Sequence, residues 1–174
     1  MPYTETTGDL LTLGLPAIGH GCNTAGSMAG GIARQVQYRW PQLYDDYARA
    51  CRCGTFQLGT FQVVDVGGML VYNLATQMNP GRAARLDAIE SAVGQALQDL
   101  GRRGISKLGV PRVGAGIGGL AWADVKAVLR DLAQAHPVDL VVVSLPRPAT
   151  TPIPQKGSSR PLPPEEGVRE SRGS

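Results

Sequence analysis

The sequence predicts an α/β fold of three layers, with a central mixed sheet between two layers of helices. Three observations indicate this fold. Strand and helix patterns alternate over residues 1–145. Residues 138–144 form an almost wholly apolar run, which is typical of a strand covered on both faces. Residues 82–100 carry apolar side chains three or four positions apart, which is typical of a helix with one buried face.

Local patterns predict the other elements in order. A proline in the first turn favours a helix that begins at Pro41. Gly67 and Gly68 predict a turn between two neighbouring strands. The predicted strands are residues 16–22, 56–66, 69–75, 107–110 and 138–144. The predicted helices are residues 28–39, 41–51, 82–100 and 122–135.

Length and composition fit one soluble domain and limit its partners. The chain has 174 residues, 43% of them hydrophobic, which is enough for a core. Its net charge is only +3 and aromatic residues make up 5%, so we expect no large basic face for nucleic acid. No apolar stretch approaches about 20 residues, which argues against a membrane span. The N-terminal residues lack the pattern of a signal peptide, which favours a cytoplasmic location.

Residues 146–174 predict a disordered tail, so we place the domain over residues 1–145. The tail holds seven of the 13 prolines and few apolar residues, a composition that cannot bury enough surface to fold. Its stretch from Arg160 to Pro164 fits either a polyproline ligand or an inert segment.

The three cysteines predict free thiols rather than a metal site. Cys51 and Cys53 are one residue apart, which is tighter than the usual zinc pair. Besides Cys22, only His20 and His136 could complete such a site. We therefore expect no metal and no redox cofactor.

Two glycine-rich turns, each between a strand pattern and a helix pattern, predict a site for phosphate groups. They lie at residues 25–33 and 114–122. Such turns expose backbone N–H groups beside the positive end of a helix dipole, where phosphate oxygens bind. Two turns on neighbouring strands would form a clamp for a diphosphate. Close packing of helix on sheet is the alternative explanation for each set of glycines.

The second turn matches the spacing of the dinucleotide-binding fingerprint through Gly114, Gly116 and Gly119. That fingerprint opens a large doubly wound sheet. Here only one helix and one strand follow it before the proline-rich segment. We therefore expect no NAD-dependent dehydrogenase.

Polar residues at the ends of predicted strands are candidates for ligand contacts. Asp9 can accept a hydrogen bond from an adenine amine, or it caps a turn. His20 is a candidate general acid or base, with an ordinary pKa of about 6.5, or a structural histidine. Asn23 can bind a ribose hydroxyl, or it ends a strand for backbone reasons. Thr76 and Gln77 end another strand, and ordinary loop polarity also explains them.

These features together resemble the macrodomain family over nearly all of residues 1–145. The matching segments are Gly8–Leu10, His20–Asn23 ahead of Gly26–Ala33, and Val110–Ile117 ahead of Leu120–Trp122. Macrodomains are three-layer α/β/α modules that bind ADP-ribose. The chain is similar to two groups within the family, the terminal ADP-ribose protein glycohydrolases and the yeast-type ADP-ribose 1''-phosphate phosphatases.

The resemblance implies which residues would bind ADP-ribose. Asp9 would bind the adenine amine, with the backbone of Leu10 beside it, and Asn23 would face the distal ribose. The two glycine loops would surround the diphosphate and the distal ribose. The implied ligand-binding residues are Asp9, Leu10, Asn23, Ser27, Met28, Ala29, Gly30, Gly31, Ile32, Thr76, Gly114, Ala115, Gly116, Ile117, Gly118, Gly119 and Leu120.

The resemblance also indicates where catalysis would take place. The glycohydrolases use a lysine just after the strand that ends near Thr76, and an aspartate in the second glycine loop. This chain has Gln77 and Gly118 at those positions. Because glutamine cannot form a covalent adduct with an opened ribose, we expect direct attack by water. His20, Asn23 and Gln77 are the candidate catalytic residues that would orient it.

Three functions follow from this interpretation. The first is hydrolysis that removes mono-ADP-ribose from glutamate or aspartate residues of modified proteins. The second is phosphatase action on ADP-ribose 1''-phosphate, and the third is a non-catalytic ADP-ribose reader. The expected partners are ADP-ribose and ADP-ribosylated proteins, with nucleic acid only as an ADP-ribosylated substrate. One core accounts for the apolar stripes, so we expect a monomer.

Overall fold

The computed structural model describes residues 2–146, which contain six strands and four helices. The strands are β1 (Tyr3–Thr7), β2 (Ala17–Asn23), β3 (Phe61–Asp65), β4 (Leu70–Gln77), β5 (Lys107–Val110) and β6 (Asp139–Ser144). The helices are α1 (Gly31–Arg39), α2 (Pro41–Arg52), α3 (Leu86–Arg102) and α4 (Trp122–Ala135). The predicted tail, apart from its first residue, lies outside the described residues.

The strands form one mixed sheet in the order β1-β6-β5-β2-β4-β3. All neighbouring pairs are parallel except β3 and β4, which are antiparallel. The carboxyl ends of five strands therefore lie along one edge of the sheet. Ligands of open α/β sheets bind at this edge.

Helices cover both faces of the sheet, and each face has its own apolar core. On one face, Leu97 of α3 and Leu129 of α4 pack against β4, β5 and β6. On the other face, Val36 of α1 and Leu43 of α2 pack against β2 and β4. The predicted three-layer α/β/α fold is confirmed. No helix among the described residues is long and apolar enough to cross a membrane.

β1 has no counterpart among the predicted strands, and β3 is shorter than the predicted strand at residues 56–66. Four of the five residues of β1 are exposed, and its polar sequence gives no strand signal. The strand forms because its backbone pairs with β6, with Thr4 beside Val141. β3 begins only at Phe61, because a turn precedes it, in which the Thr60 N–H donates to the Gln57 carbonyl at 3.1 Å.

Two predicted helices begin too early. The predicted start of α1 at residue 28 is wrong, because Gly30 has an extended backbone and leaves residues 28–30 in a loop. The predicted start of α3 at residue 82 is also wrong. Before α3 begins, the chain contacts the end of β4, where the Arg85 N–H donates to the Thr76 carbonyl at 3.0 Å. In both places, the loop at the carboxyl edge of the sheet is longer than predicted.

His20 is buried on β2, and this position does not favour its predicted role as a catalytic acid or base. Its side chain has no exposed surface, and it lies on the same face as Ile18 and Cys22, under α1 and α2. Its Nε2 atom is 2.7 Å from Oδ1 of Asn73 on β4. Burial lowers the pKa of His20 to about 4, although the hydrogen bond to Asn73 acts in the opposite direction. A neutral, enclosed imidazole at this position links β2 to β4 through Asn73.

We expect acid to destabilise the protein through His20. The pKa of this histidine is about 6.5 in the unfolded chain and about 4 in the folded one, so the unfolded chain binds more protons between these values. Stability is therefore lost as the pH falls through this range. The free energy of unfolding in urea should drop by about 2 kcal/mol from pH 7 to pH 5.

A His20→Gln variant, which keeps an N–H donor for Asn73, should lose most of this pH dependence. His136→Gln is the matched control, because His136 is the other histidine of the chain and should leave the dependence intact. An equal drop in the wild type and in His20→Gln would contradict this account.

Candidate functional site

A cleft of about 510 Å³ lies at the carboxyl ends of the five parallel strands. Each strand contributes its last residue or the segment that follows it. Asp9 follows β1, Pro111 follows β5, and Ser144, Asn23 and Gln77 end β6, β2 and β4. The site is therefore assembled from five separate parts of the chain.

Most of the predicted site residues, whether for ligand binding or for catalysis, line this cleft. They are Asp9, Leu10, Asn23, Ser27, Met28, Ala29, Gly30, Gly31, Ile32, Thr76, Gln77, Gly114, Gly116, Ile117 and Gly118. Four predicted site residues do not line it: His20, Ala115, Gly119 and Leu120. Gly119 lies against the side chain of Arg82, and Leu120 packs on the core beneath the second loop.

The first glycine loop is held by the side chain of Asn23. Its Oδ1 atom accepts the N–H groups of Ala25 at 3.1 Å and Ser27 at 3.2 Å. Its Nδ2 atom donates to the Ser27 carbonyl at 2.8 Å. Within the loop, Gly26 has a φ of +90°, which favours glycine. Asn23 thus organises the loop and keeps one N–H of Nδ2 for another partner.

The second glycine loop is packed tightly around Gly118 and leaves no room for a side chain there. The Leu120 N–H donates to the Gly114 carbonyl at 2.9 Å and closes the loop. A Cβ atom on Gly118 would lie 2.6 Å from Cβ of Ala84 and 2.7 Å from the Gly114 oxygen. An aspartate at position 118 would therefore require the backbone to move. The glycine is a steric requirement of this loop.

The two glycine loops meet across the cleft through Ile117. This side chain is 58% exposed, although it is large and apolar. A Cβ atom on Gly30 would lie 2.9 Å from Cδ1 of Ile117. The absence of a side chain at Gly30 lets the loops approach each other. This is the arrangement that the paired glycine turns predict.

Gln77 shapes the wall beside the first loop. Its Nε2 atom donates to the carbonyls of Asn79 at 2.6 Å and Gly81 at 2.9 Å. These bonds fix the segment in which Pro80 and Gly81 line the cleft. Oε1 takes no part in these two bonds and remains an acceptor at the cleft surface.

Among residues 2–146, only Asp9 and Arg112 bring charged side chains to the cleft lining. Oδ1 of Asp9 accepts the Leu11 N–H at 3.0 Å, so Asp9 does cap a turn. The second carboxylate oxygen is not used in that bond. Asp9 can therefore serve both as a turn cap and as a ligand contact.

Arg112 is a cleft residue that the sequence analysis did not select. Its Nε atom donates to Oγ of Ser144 at 3.2 Å, and its guanidinium lies 5.2 Å from the ring centre of Trp122. The available signal was its position, directly after the strand that precedes the second glycine loop. The same signal applies to other missed lining residues, among them Gly8, Pro80, Gly81, Pro111, Val113, Ser144 and Leu145.

Known proteins are similar to this chain in sequence and in fold. The Macro domain family model matches residues 20–129. A Mycobacterium tuberculosis protein named DNA ADP-ribosyl glycohydrolase is 30% identical over 98% of this chain, and the match covers 47% of that protein. The chain thus spans about half the length of this curated relative.

Two further comparisons cover nearly the whole of the other protein. The ADP-ribose 1''-phosphate phosphatase of Candida albicans is 28% identical, with 74% of this chain and 92% of that protein covered. The solved macrodomain of Mycobacterium tuberculosis DarG has 30% identity and a TM-score of 0.73, over 84% of this chain and 98% of that one. Since the family model also spans more than half of the sequence, the chain belongs to the macrodomain family.

Proposed function

We propose that this chain is an ADP-ribosyl glycohydrolase that removes mono-ADP-ribose from aspartate or glutamate side chains of modified proteins by direct attack of water. One observation carries the proposal: the two glycine loops face each other over a cleft that also contains Asp9 and Gln77. The family supports ADP-ribose as the ligand. The proposed binding mode is the one that the resemblance implies, without Ala115, Gly119 and Leu120, which do not line the cleft. The proposed reaction does not use His20.

The cleft suits a nucleotide diphosphate because its loops are mostly backbone. In the segments from Met28 to Gly31 and from Gly114 to Gly118, seven of the nine residues are glycine or alanine, so we expect peptide N–H groups to face a ligand. Such groups bind phosphate oxygens without a cationic side chain. Asp9 at the far end would accept the adenine amine. Asn23 would donate its remaining N–H to a hydroxyl of the distal ribose.

The proposed reaction needs no covalent adduct with the protein. Water attacks the anomeric carbon of the distal ribose, and the bond from that carbon to the carboxylate oxygen breaks. The electron pair leaves with the carboxylate, and a proton from the water passes to solvent. A carboxylate is a good leaving group, since its conjugate acid has a pKa of about 4. Positioning of the water and stabilisation of charge by loop amides would supply the catalysis.

Modified DNA is a second candidate substrate. It is favoured by the relative from Mycobacterium tuberculosis, whose name specifies DNA. A nitrogen of a nucleobase is a poorer leaving group than a carboxylate and needs more help from an acid. The described part of the cleft brings only Asp9 and Arg112 as charged side chains. The acidic-residue linkage therefore remains our first choice.

Parallel release assays test these proposals. The protein is incubated with glutamate-linked ADP-ribosylated protein, with ADP-ribosylated DNA and with ADP-ribose 1''-phosphate, and free ADP-ribose or phosphate is measured by chromatography. We expect release from the protein substrate above the buffer rate. Release from DNA alone would show that modified DNA, and not modified protein, is the substrate. Phosphate release alone would favour the phosphatase, and tight ADP-ribose binding without any release would favour a reader.

We expect Asp9→Asn to weaken ADP-ribose binding by at least about tenfold in calorimetry, because it loses a charge-assisted hydrogen bond to the adenine amine. This variant keeps an amide oxygen for the Leu11 N–H, so the turn is preserved. Asp139→Asn is the matched control, at the opposite edge of the sheet. An unchanged affinity in Asp9→Asn would reject the adenine contact.

We expect Gln77→Ala to lower turnover by about tenfold to a hundredfold, because a misplaced water loses the benefit of orientation. Gln95→Ala is the control, since Gln95 also bonds a loop carbonyl, that of Gly59 at 3.1 Å, but lies outside the cleft. Initial rates at saturating substrate separate turnover from binding. Equal rates in both variants would remove Gln77 from the mechanism.

A further inference from the structure

A buried tyrosine on α2 lies under the first glycine loop and contacts it through its hydroxyl. Tyr47 has no exposed surface. Its hydroxyl is 2.6 Å from the carbonyl oxygen of Asn23 and 3.0 Å from Oδ1 of the same residue. The Ser27 carbonyl lies 3.4 Å away. The hydroxyl thus reaches both ends of the loop that precedes α1.

The surroundings of Tyr47 fix its ring and keep it protonated. Its ring packs edge-on against Phe56, with 5.4 Å between ring centres. Burial raises the pKa of Tyr47, so its hydroxyl is a donor throughout the neutral range. Tyr44, one helical turn earlier, donates to the Gly26 carbonyl at 3.2 Å. One face of α2 therefore supports the glycine loop from below.

Hydrogen bonds within the first loop determine what Asn23 can offer to a ligand. Oδ1 of Asn23 accepts the N–H groups of Ala25 and Ser27. The Tyr47 hydroxyl carries one hydrogen, whose shortest contact is the Asn23 carbonyl at 2.6 Å, and its oxygen also lies 3.0 Å from Oδ1. An amide oxygen has two lone pairs, so this atom is saturated. Nδ2 uses one hydrogen on the Ser27 carbonyl and keeps the other. Asn23 can therefore act toward a ligand only as a donor.

We propose that Tyr47 is a positioning residue, which holds the amide of Asn23 and the first glycine loop in the orientation that binds the diphosphate and distal ribose. The proposal rests on the proposed binding of ADP-ribose. Tyr47 itself does not line the cleft, so it acts through Asn23. Without its hydroxyl, the loop carbonyls and the Asn23 amide can rearrange, while the adenine end near Asp9 stays in place.

The test compares Tyr47→Phe with Tyr72→Phe. Tyr72 is equally buried, and its hydroxyl donates to Oδ2 of Asp99 at 2.7 Å on the other face of the sheet. Both variants lose one buried hydrogen bond, so both should lose thermal stability. Only Tyr47→Phe should weaken ADP-ribose binding, by about threefold to tenfold, with AMP binding unchanged within about twofold. Calorimetry measures the affinity of each variant for ADP-ribose and for AMP.

Hydrogen exchange gives a second readout that does not depend on a ligand. The backbone N–H groups of Ala25 and Ser27 should exchange faster in Tyr47→Phe and at the wild-type rate in Tyr72→Phe. Parallel losses of ADP-ribose and AMP affinity, or none, would overturn the proposal. If the wild type binds neither ligand, the proposed function fails. Unchanged exchange at Ala25 and Ser27 would then overturn the positioning role as well.

Discussion

The hydrogen-bonded pairing of five parallel strands is the constraint on which the rest of the structure depends. It brings the carboxyl ends of five strands to one edge of the sheet. The cleft is lined by these strand ends and by the segments that follow them. The pairing continues beyond the strands. The Gly8 N–H donates to the Ser144 carbonyl at 2.9 Å, and the Thr24 N–H donates to the Gln77 carbonyl at 3.0 Å. The loops therefore take their positions from a rigid frame.

Polar side chains at the cleft mainly hold the loops in place. Asn23 organises the first loop, Gln77 fixes the wall from Asn79 to Gly81, and Asp9 caps its own turn. What remains for a ligand is largely backbone N–H groups, with Asp9 and Arg112 as the charged side chains among the described residues. Such a site is suited to binding and orienting an anionic nucleotide. The proposed reaction relies on geometry more than on reactive groups.

Local patterns predicted the elements whose cause is local. α4 and β5 have the predicted bounds, because their apolar spacing and flanking glycines suffice. Long-range pairing accounts for the failures. β1 is polar and exists through β6, and the start of α3 depends on a bond from Arg85 to Thr76. His20 is buried because β2 is an interior strand of the sheet with helices on both faces, and this position comes from long-range pairing with β4 and β5. Ligand contacts, monomeric state and cellular location remain predictions.

The packing around Gly118 also bears on how such a site can evolve. A side chain there meets Ala84 on one side and the Gly114 carbonyl on the other. An acidic residue at this position therefore requires at least two coordinated changes, one to introduce it and one to make room. Either change alone strains the loop or leaves it underpacked. Selection that proceeds by single mutations thus meets a stability barrier between a cleft with glycine at this position and one with a carboxylate.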